Sequence, residues 1–175
     1  MEFSLRRGTL WSAPMADPIA RRVLDHLEAL DARYRVLECD PALADTAAFC
    51  AHYGYSPGIS ANAILVASRR PPGSNCLCLA LATTRIDVNR VVKGLLGVSK
   101  LSFASPEVTI EATGMEIGGV TPFGIPAALP VYVDARIPGL DECIVGGGSR
   151  SMKVLVDPEV FGRMPGVEVV EGLAF

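Results

Sequence analysis

A chain of 175 residues that is half hydrophobic, with a mean hydropathy of +0.34, is long enough for a single domain to bury a full core over residues 1–175. Its net charge of -3 excludes a generally basic nucleic-acid binder, and no run approaches the ~18 uninterrupted apolar residues of a membrane helix. The opening residues, MEFSLRRGTLWSAPM, lack the ~7–15-residue apolar core of a secretory leader, so a soluble cytoplasmic protein with no membrane contact is expected.

In chain order, Asp17-Pro18 is a cap and first helical position, and Ile19, Val23, Leu24, Leu27 and Leu30 continue a helix-period stripe. His26 flanks that stripe as a surface or boundary residue. A short strand follows over Tyr34–Cys39, then a helix from Asp45 to Tyr53 stopped by Gly54. The spacing predicts strands over Ile59–Ser68 and Asn75–Thr83, joined by a hairpin loop at Arg69–Ser74. In the second of these Cys76, Cys78, Ala80 and Ala82 share one face, which leaves room for a close-packed layer or for a ligand.

Asp87 caps the best-patterned helix: Val88, Val91, Val92, Leu95 and Leu96 form its apolar stripe and Gly97 ends it. Lys100–Phe103 reads as a strand and Ser105-Pro106 as the start of a brief helical turn. Further strands are predicted at Val131–Asp134, Cys143–Val145, Met152–Val156 and Val167–Val170, with a short helix opening at Asp157-Pro158. Helices and strands alternate irregularly, which predicts an α+β fold with a mixed sheet.

The five cysteines are odd in number and form no C-x-x-C pair, so they read as buried reduced thiols and not as metal ligands; no cofactor is implied. Between residues 69 and 100 lie Arg69, Arg70, Arg85, Arg90, Lys93 and Lys100 against one acid, Asp87. Such a segment either meets a nucleic-acid backbone locally or forms an ordinary solvated face.

The stretch from Glu111 to Asp134 holds four glycines (Gly114, Gly118, Gly119, Gly124) and three prolines (Pro122, Pro126, Pro130) around Phe123. It is therefore a shaped loop, serving as a connector or as a binding wall. No Walker motif or zinc helix is present, and the two histidines lie on early helices. Chemistry would have to come from backbone amides and a few polar side chains.

The run Thr113-Gly114, Gly118-Gly119-Val120-Thr121-Pro122-Phe123-Gly124, then Val131-Tyr132-Val133-Asp134, resembles the signature of the YbaK/prolyl-tRNA synthetase-associated domain family. So does the order of a strand near residue 62, an Asp-capped helix, the segment Lys100–Glu107 and a glycine turn at 146–148, over roughly residues 45–156. The resemblance implies a mixed β-sheet curled around a pocket with helices packed outside. It implies hydrolysis of the ester between a wrong amino acid and transfer RNA, with water as nucleophile.

Under that resemblance Gly118, Gly119, Pro122, Phe123 and Gly124 line the aminoacyl pocket, with Ser149 and Arg150 beside them; Asp134, at a strand end, either joins the substrate site or anchors a loop. Gly147 and Gly148 offer amides to the ester carbonyl. Arg69, Arg70, Arg85, Arg90 and Lys93 meet the transfer RNA, and a synthetase is a further partner. The chain departs from the family at Asn62, where editing members carry a lysine; there asparagine lines the pocket or makes a structural hydrogen bond. Ser149, Arg150 and Ser151 also stand where a histidine is common. A catalytically degenerate module that binds transfer RNA or an aminoacyl group is the alternative.

Overall fold

The computed structural model describes residues 17–175; the amino-terminal stretch read above for a leader lies outside them. Asp17 accepts from the amides of Ile19 and Ala20, and Pro18 starts α1 (Pro18–Ala29) as the cap chemistry predicts. Helix α2 (Thr46–Tyr53) ends at left-handed Gly54. The Asp87 helix opens with a π turn, Val88–Val92, before α3 (Lys93–Leu96). The Asp87 carbonyl accepts from both Val91 and Val92, which widens the turn. Helix α4 (Pro106–Thr113), capped by Ser105, is longer than the brief turn expected.

The strands are β1 (Tyr34–Glu38), β2 (Ala61–Arg70), β3 (Pro72–Leu81), β4 (Lys100–Phe103), β5 (Val131–Asp134), β6 (Cys143–Gly146), β7 (Met152–Val156) and β8 (Val167–Val170). The α+β class with a mixed sheet is as expected, but the strands form two sheets. One is antiparallel, in the order β1-β7-β6; the other is mixed, in the order β4-β2-β3-β5-β8. A bridge between Ser60 and Ile144 links them. The β2–β3 hairpin is tighter than predicted: pairing runs on to Arg69↔Pro72 because ladder hydrogen bonds use groups that a six-residue loop would leave to solvent.

Alternation along β2 and β3 divides the core. Ala61, Leu65, Leu77, Leu79 and Leu81 face the main cluster with α1 and β7. Val66, Cys76, Cys78 and Ala80 face a second cluster with Val88, Val92 and Leu101. Cys76, Cys78 and Ala80 of the small-residue face thus belong to a close-packed layer, while Ala82 at its end lines a cavity. All five cysteines are buried and free; burial raises the Cys143 thiol to about 12. No helix among the described residues is long and apolar enough to cross a membrane.

Strand β4 pairs with β2 only from Val66 onward. The first half of β2 therefore has a free outer edge. Leu65 points its carbonyl to that side, where it accepts from the Ala104 amide, and Ala63 shares its parity. The gap between this edge and β6 is where the site forms.

Candidate active site

A cavity of about 560 Å³ opens along the free edge of β2. Thr46 and Phe49 of α2, Pro106 and Thr109 of α4, the Ile117–Gly118 loop, and Val145 and Lys153 of the antiparallel sheet enclose it. The walls are mostly apolar, with alanine the commonest residue and a few polar groups set among them, the ordinary composition of a small-ligand site.

Asn62 lines the cavity, and its Oδ1 accepts from the Thr46 hydroxyl at 2.5 Å. The amide nitrogen, a donor of two hydrogens, is left for the cavity. Asparagine is disfavoured in strands, and this hydrogen bond to the first residue of α2 accounts for it here.

Lys153 is the feature that sequence reasoning missed. Its side chain is buried, and Nζ donates to the carbonyls of Ala44 at 2.6 Å and Gly118 at 2.8 Å, with the Phe49 ring centre 5.7 Å away. Among the described residues it is the one cation lining the cavity. Burial lowers its pKa, Arg150 adds to that, and Asp45 opposes it. A signal is present in the run Met-Lys-Val-Leu-Val: a lysine inside a strand that is apolar on both faces has to be buried or to stand at an edge.

Most of the glycine loop serves a different purpose from the one expected. Of its predicted wall residues, Gly118 lines the cavity. Gly119 and Gly146 are glycines because the two loops touch backbone to backbone: a Cβ on Gly119 would strike the Ser149 carbonyl, and one on Gly146 the carbonyls of Gly119 and Val120. Pro122 and Phe123 are buried in the core, where Phe123 stacks on Phe161 with ring centres 5.7 Å apart. Gly124, at φ 74°, lies against Arg22 and donates its amide to His26 Nδ1 at 2.8 Å. His26 is thus a loop buttress with a definite partner, and burial lowers its pKa.

The proposed amide donors are also spent. Gly147 N–H donates to the Met152 carbonyl at 3.1 Å and Gly148 N–H to the Gly119 carbonyl at 2.7 Å, so neither faces a substrate. Ser149 is buried with its hydroxyl on Ser151 at 3.0 Å. Arg150 ties loops together, donating to the Pro41 and Ile117 carbonyls at 2.9 Å each while its amide meets Glu116. Asp134 is remote from the cavity: Arg136 grips it at 2.7 and 2.8 Å and the Ala174 amide donates to it at 3.0 Å. It anchors the carboxy-terminal segment.

The basic residues divide. Arg69, Arg70 and Lys100 gather at the hairpin end, where Arg70 stands opposite Lys100 in the ladder and Arg69 donates to Ser102. Arg90 and Lys93 are exposed on the helix leading into β4. Arg85 lies beyond the opposite end of β3, about 30 Å of strand from Pro72, and its backbone pairs with Phe175.

Residues 40–163 match the family model of the aminoacyl-tRNA editing domain. The uncharacterized protein YwhH of Bacillus subtilis (strain 168) is 32% identical over 83 residues, 47% of this chain and 52% of that protein. The chain thus spans about half the length of that curated relative. A crystal structure of a protein proposed as a trans-editing enzyme for prolyl tRNA synthetase superposes with a TM-score of 0.73 at 26% identity, over 89% of this chain and 96% of the other. The hypothetical protein APE2540 shares the fold at a TM-score of 0.77 and 21% identity, over 88% and 99%.

Proposed function

Because the chain belongs to the aminoacyl-tRNA editing domain family, we propose that it hydrolyses the ester bond of mischarged aminoacyl-tRNA in the cytoplasm, protecting the fidelity of translation. The observation that carries this reading is the cavity beside Asn62 and Gly118, whose mostly apolar walls suit a small amino-acid side chain. The solved structure at 26% identity, proposed to edit for prolyl-tRNA synthetase, supports the same substrate class and a synthetase as partner. Asn62 donates from its amide nitrogen to the bound aminoacyl group, held in that orientation by Thr46. Water attacks the carbonyl carbon, the bond to the ribose oxygen breaks, and amino acid and intact transfer RNA leave.

Arg69 and Arg70 lie seven and eight residues along β2 from Asn62, roughly 23–26 Å of strand. That spacing suits phosphate contacts on the nucleic acid while its end occupies the cavity. Arg90, paired with Asp87, and Lys93 are further exposed cations on the helix between Arg85 and β4.

The test is deacylation of a panel of mischarged transfer RNAs, beginning with proline acceptors carrying alanine or cysteine. Turnover above the uncatalysed rate on at least one is expected; none on the full panel rejects the reading. The spent amides of Gly147 and Gly148 and the neutral side chain at Asn62 favour one alternative, a module that binds the same ligand without hydrolysing it. Such a module binds mischarged transfer RNA without turnover and gains hydrolysis on Asn62→Lys.

A further inference from the structure

The Lys153 ammonium has three N–H donors and no acceptor. Two are used, on Ala44 and Gly118. The third has no hydrogen-bond partner among the described residues, although the side chain is only 5% exposed. Tying two carbonyls together does not require a charge: a neutral amide could do it without the several kcal/mol that desolvating an ion costs. An ammonium with a spare donor at the wall of an apolar cavity is suited to an oxygen that carries, or develops, negative charge.

We propose that the third donor of Lys153 holds the carbonyl oxygen of the ester that enters the cavity and stabilises the charge on it as water adds. The proposal rests on the deacylation reading and fills a gap in it, since the amides of Gly147 and Gly148 cannot serve. When the water oxygen bonds to the carbonyl carbon, the π pair moves onto the oxygen facing Nζ. When the carbon–ribose oxygen bond breaks, that pair returns to the carbonyl. The ribose oxygen takes the proton given up by water, and Lys153 keeps its own protons throughout. Lys153 is on this account a catalytic residue, while Thr46 is a positioning residue acting through Asn62.

The experiment uses two unreactive probes, 3′-deoxy-3′-(alanylamido)adenosine and its thioamide, which keeps the shape but replaces the carbonyl oxygen with a weak acceptor. Wild type is expected to bind the amide about tenfold more tightly than the thioamide, the size of one charge-assisted hydrogen bond. In Lys153→Met that ratio falls to near one, and Lys153→Gln leaves it intermediate. A merely structural lysine would weaken both probes together and leave their ratio unchanged. An unchanged ratio in Lys153→Met overturns the proposal. So does a ratio near one in wild type, which needs no variant to fold, or failure of wild type to bind either probe. Deacylation is scored separately. Wild type that discriminates the probes but turns over no mischarged transfer RNA rejects hydrolysis and leaves Lys153 as a carbonyl-binding group. Turnover that Lys153→Met leaves at the wild-type rate rejects the role of Lys153 alone.

Discussion

The Thr46 hydroxyl donates to Oδ1 of Asn62 at 2.5 Å, joining the first turn of α2 to the free edge of β2. The bond decides which end of the amide faces the cavity. With Oδ1 turned toward Thr46, the nitrogen and its two hydrogens are turned the other way, so the site offers a donor at this position.

Thr46→Val keeps the shape and removes the hydroxyl. Deacylation is expected to fall about fivefold, the equivalent of one neutral hydrogen bond of roughly 1 kcal/mol. In an Asn62→Ala background the same substitution should change little, because the two residues act as a unit. Additive losses in kcat/KM would show that Thr46 acts elsewhere.

Gly119→Ala places a methyl group against the Ser149 carbonyl, which belongs to backbone and cannot swing away. A loss of about 1–3 kcal/mol is expected, or roughly 3–10 °C in melting temperature. Thermal unfolding measures it. A melting temperature equal to wild type would mean that the two loops are not packed backbone to backbone.

Asp134 gives a pH dependence whose sign follows from its surroundings. Burial alone would raise its pKa, but the hydrogen bonds and charge of Arg136 and the Ala174 amide hold it below the usual 3.8. Between the folded value and 3.8 the unfolded chain binds more protons, so stability rises with pH across that window. The contribution is complete above 3.8 and is lost as pH falls through the folded pKa. Asp134→Asn should cost about 1–3 kcal/mol at about pH 6, because its amide hydrogens meet the Arg136 guanidinium. The gap from wild type should close in acid. A gap that stays constant from about pH 7 to about pH 2 would contradict the assignment.

Arg69→Ala and Arg70→Ala are expected to weaken transfer RNA binding and to lower the slope of log affinity against log salt by about 0.7–0.9 for each phosphate no longer neutralised. Arg85→Ala, at the far end of β3, should change neither quantity. Filter binding over a salt series separates these outcomes, and an equal effect of all three substitutions would argue for a diffuse field over the whole surface.

Much of this fold is legible in the chain because its signals are local. Asp17-Pro18, Ser105-Pro106 and Gly97 announce helix ends through groups one to four residues away, and the alternation of leucine with cysteine and alanine in β3 announces two faces. Asn62 is out of place in a strand by its own chemistry, and the structure puts it on the cavity. Glycines mark close approach without saying what approaches. Their pattern is the same whether the neighbour is a substrate or another loop, and here Gly119, Gly146 and Gly148 are met by protein.

Periodicity and caps, which a linear chain displays, are enough for the α+β class, for nearly all strands and helices, and for the family signature running from the glycine loop to Asp134. Which groups share the cavity is a matter of long-range pairing. Lys153 is 91 residues from Asn62 and 35 from Gly118, and it becomes part of the site because β7 pairs with β6 beside the free edge of β2. Sheet pairing at that sequence separation is set by burial of the whole core and not by any local preference. For the same reason the amides of Gly147 and Gly148, free to bond with anything in the sequence, are already committed in the fold.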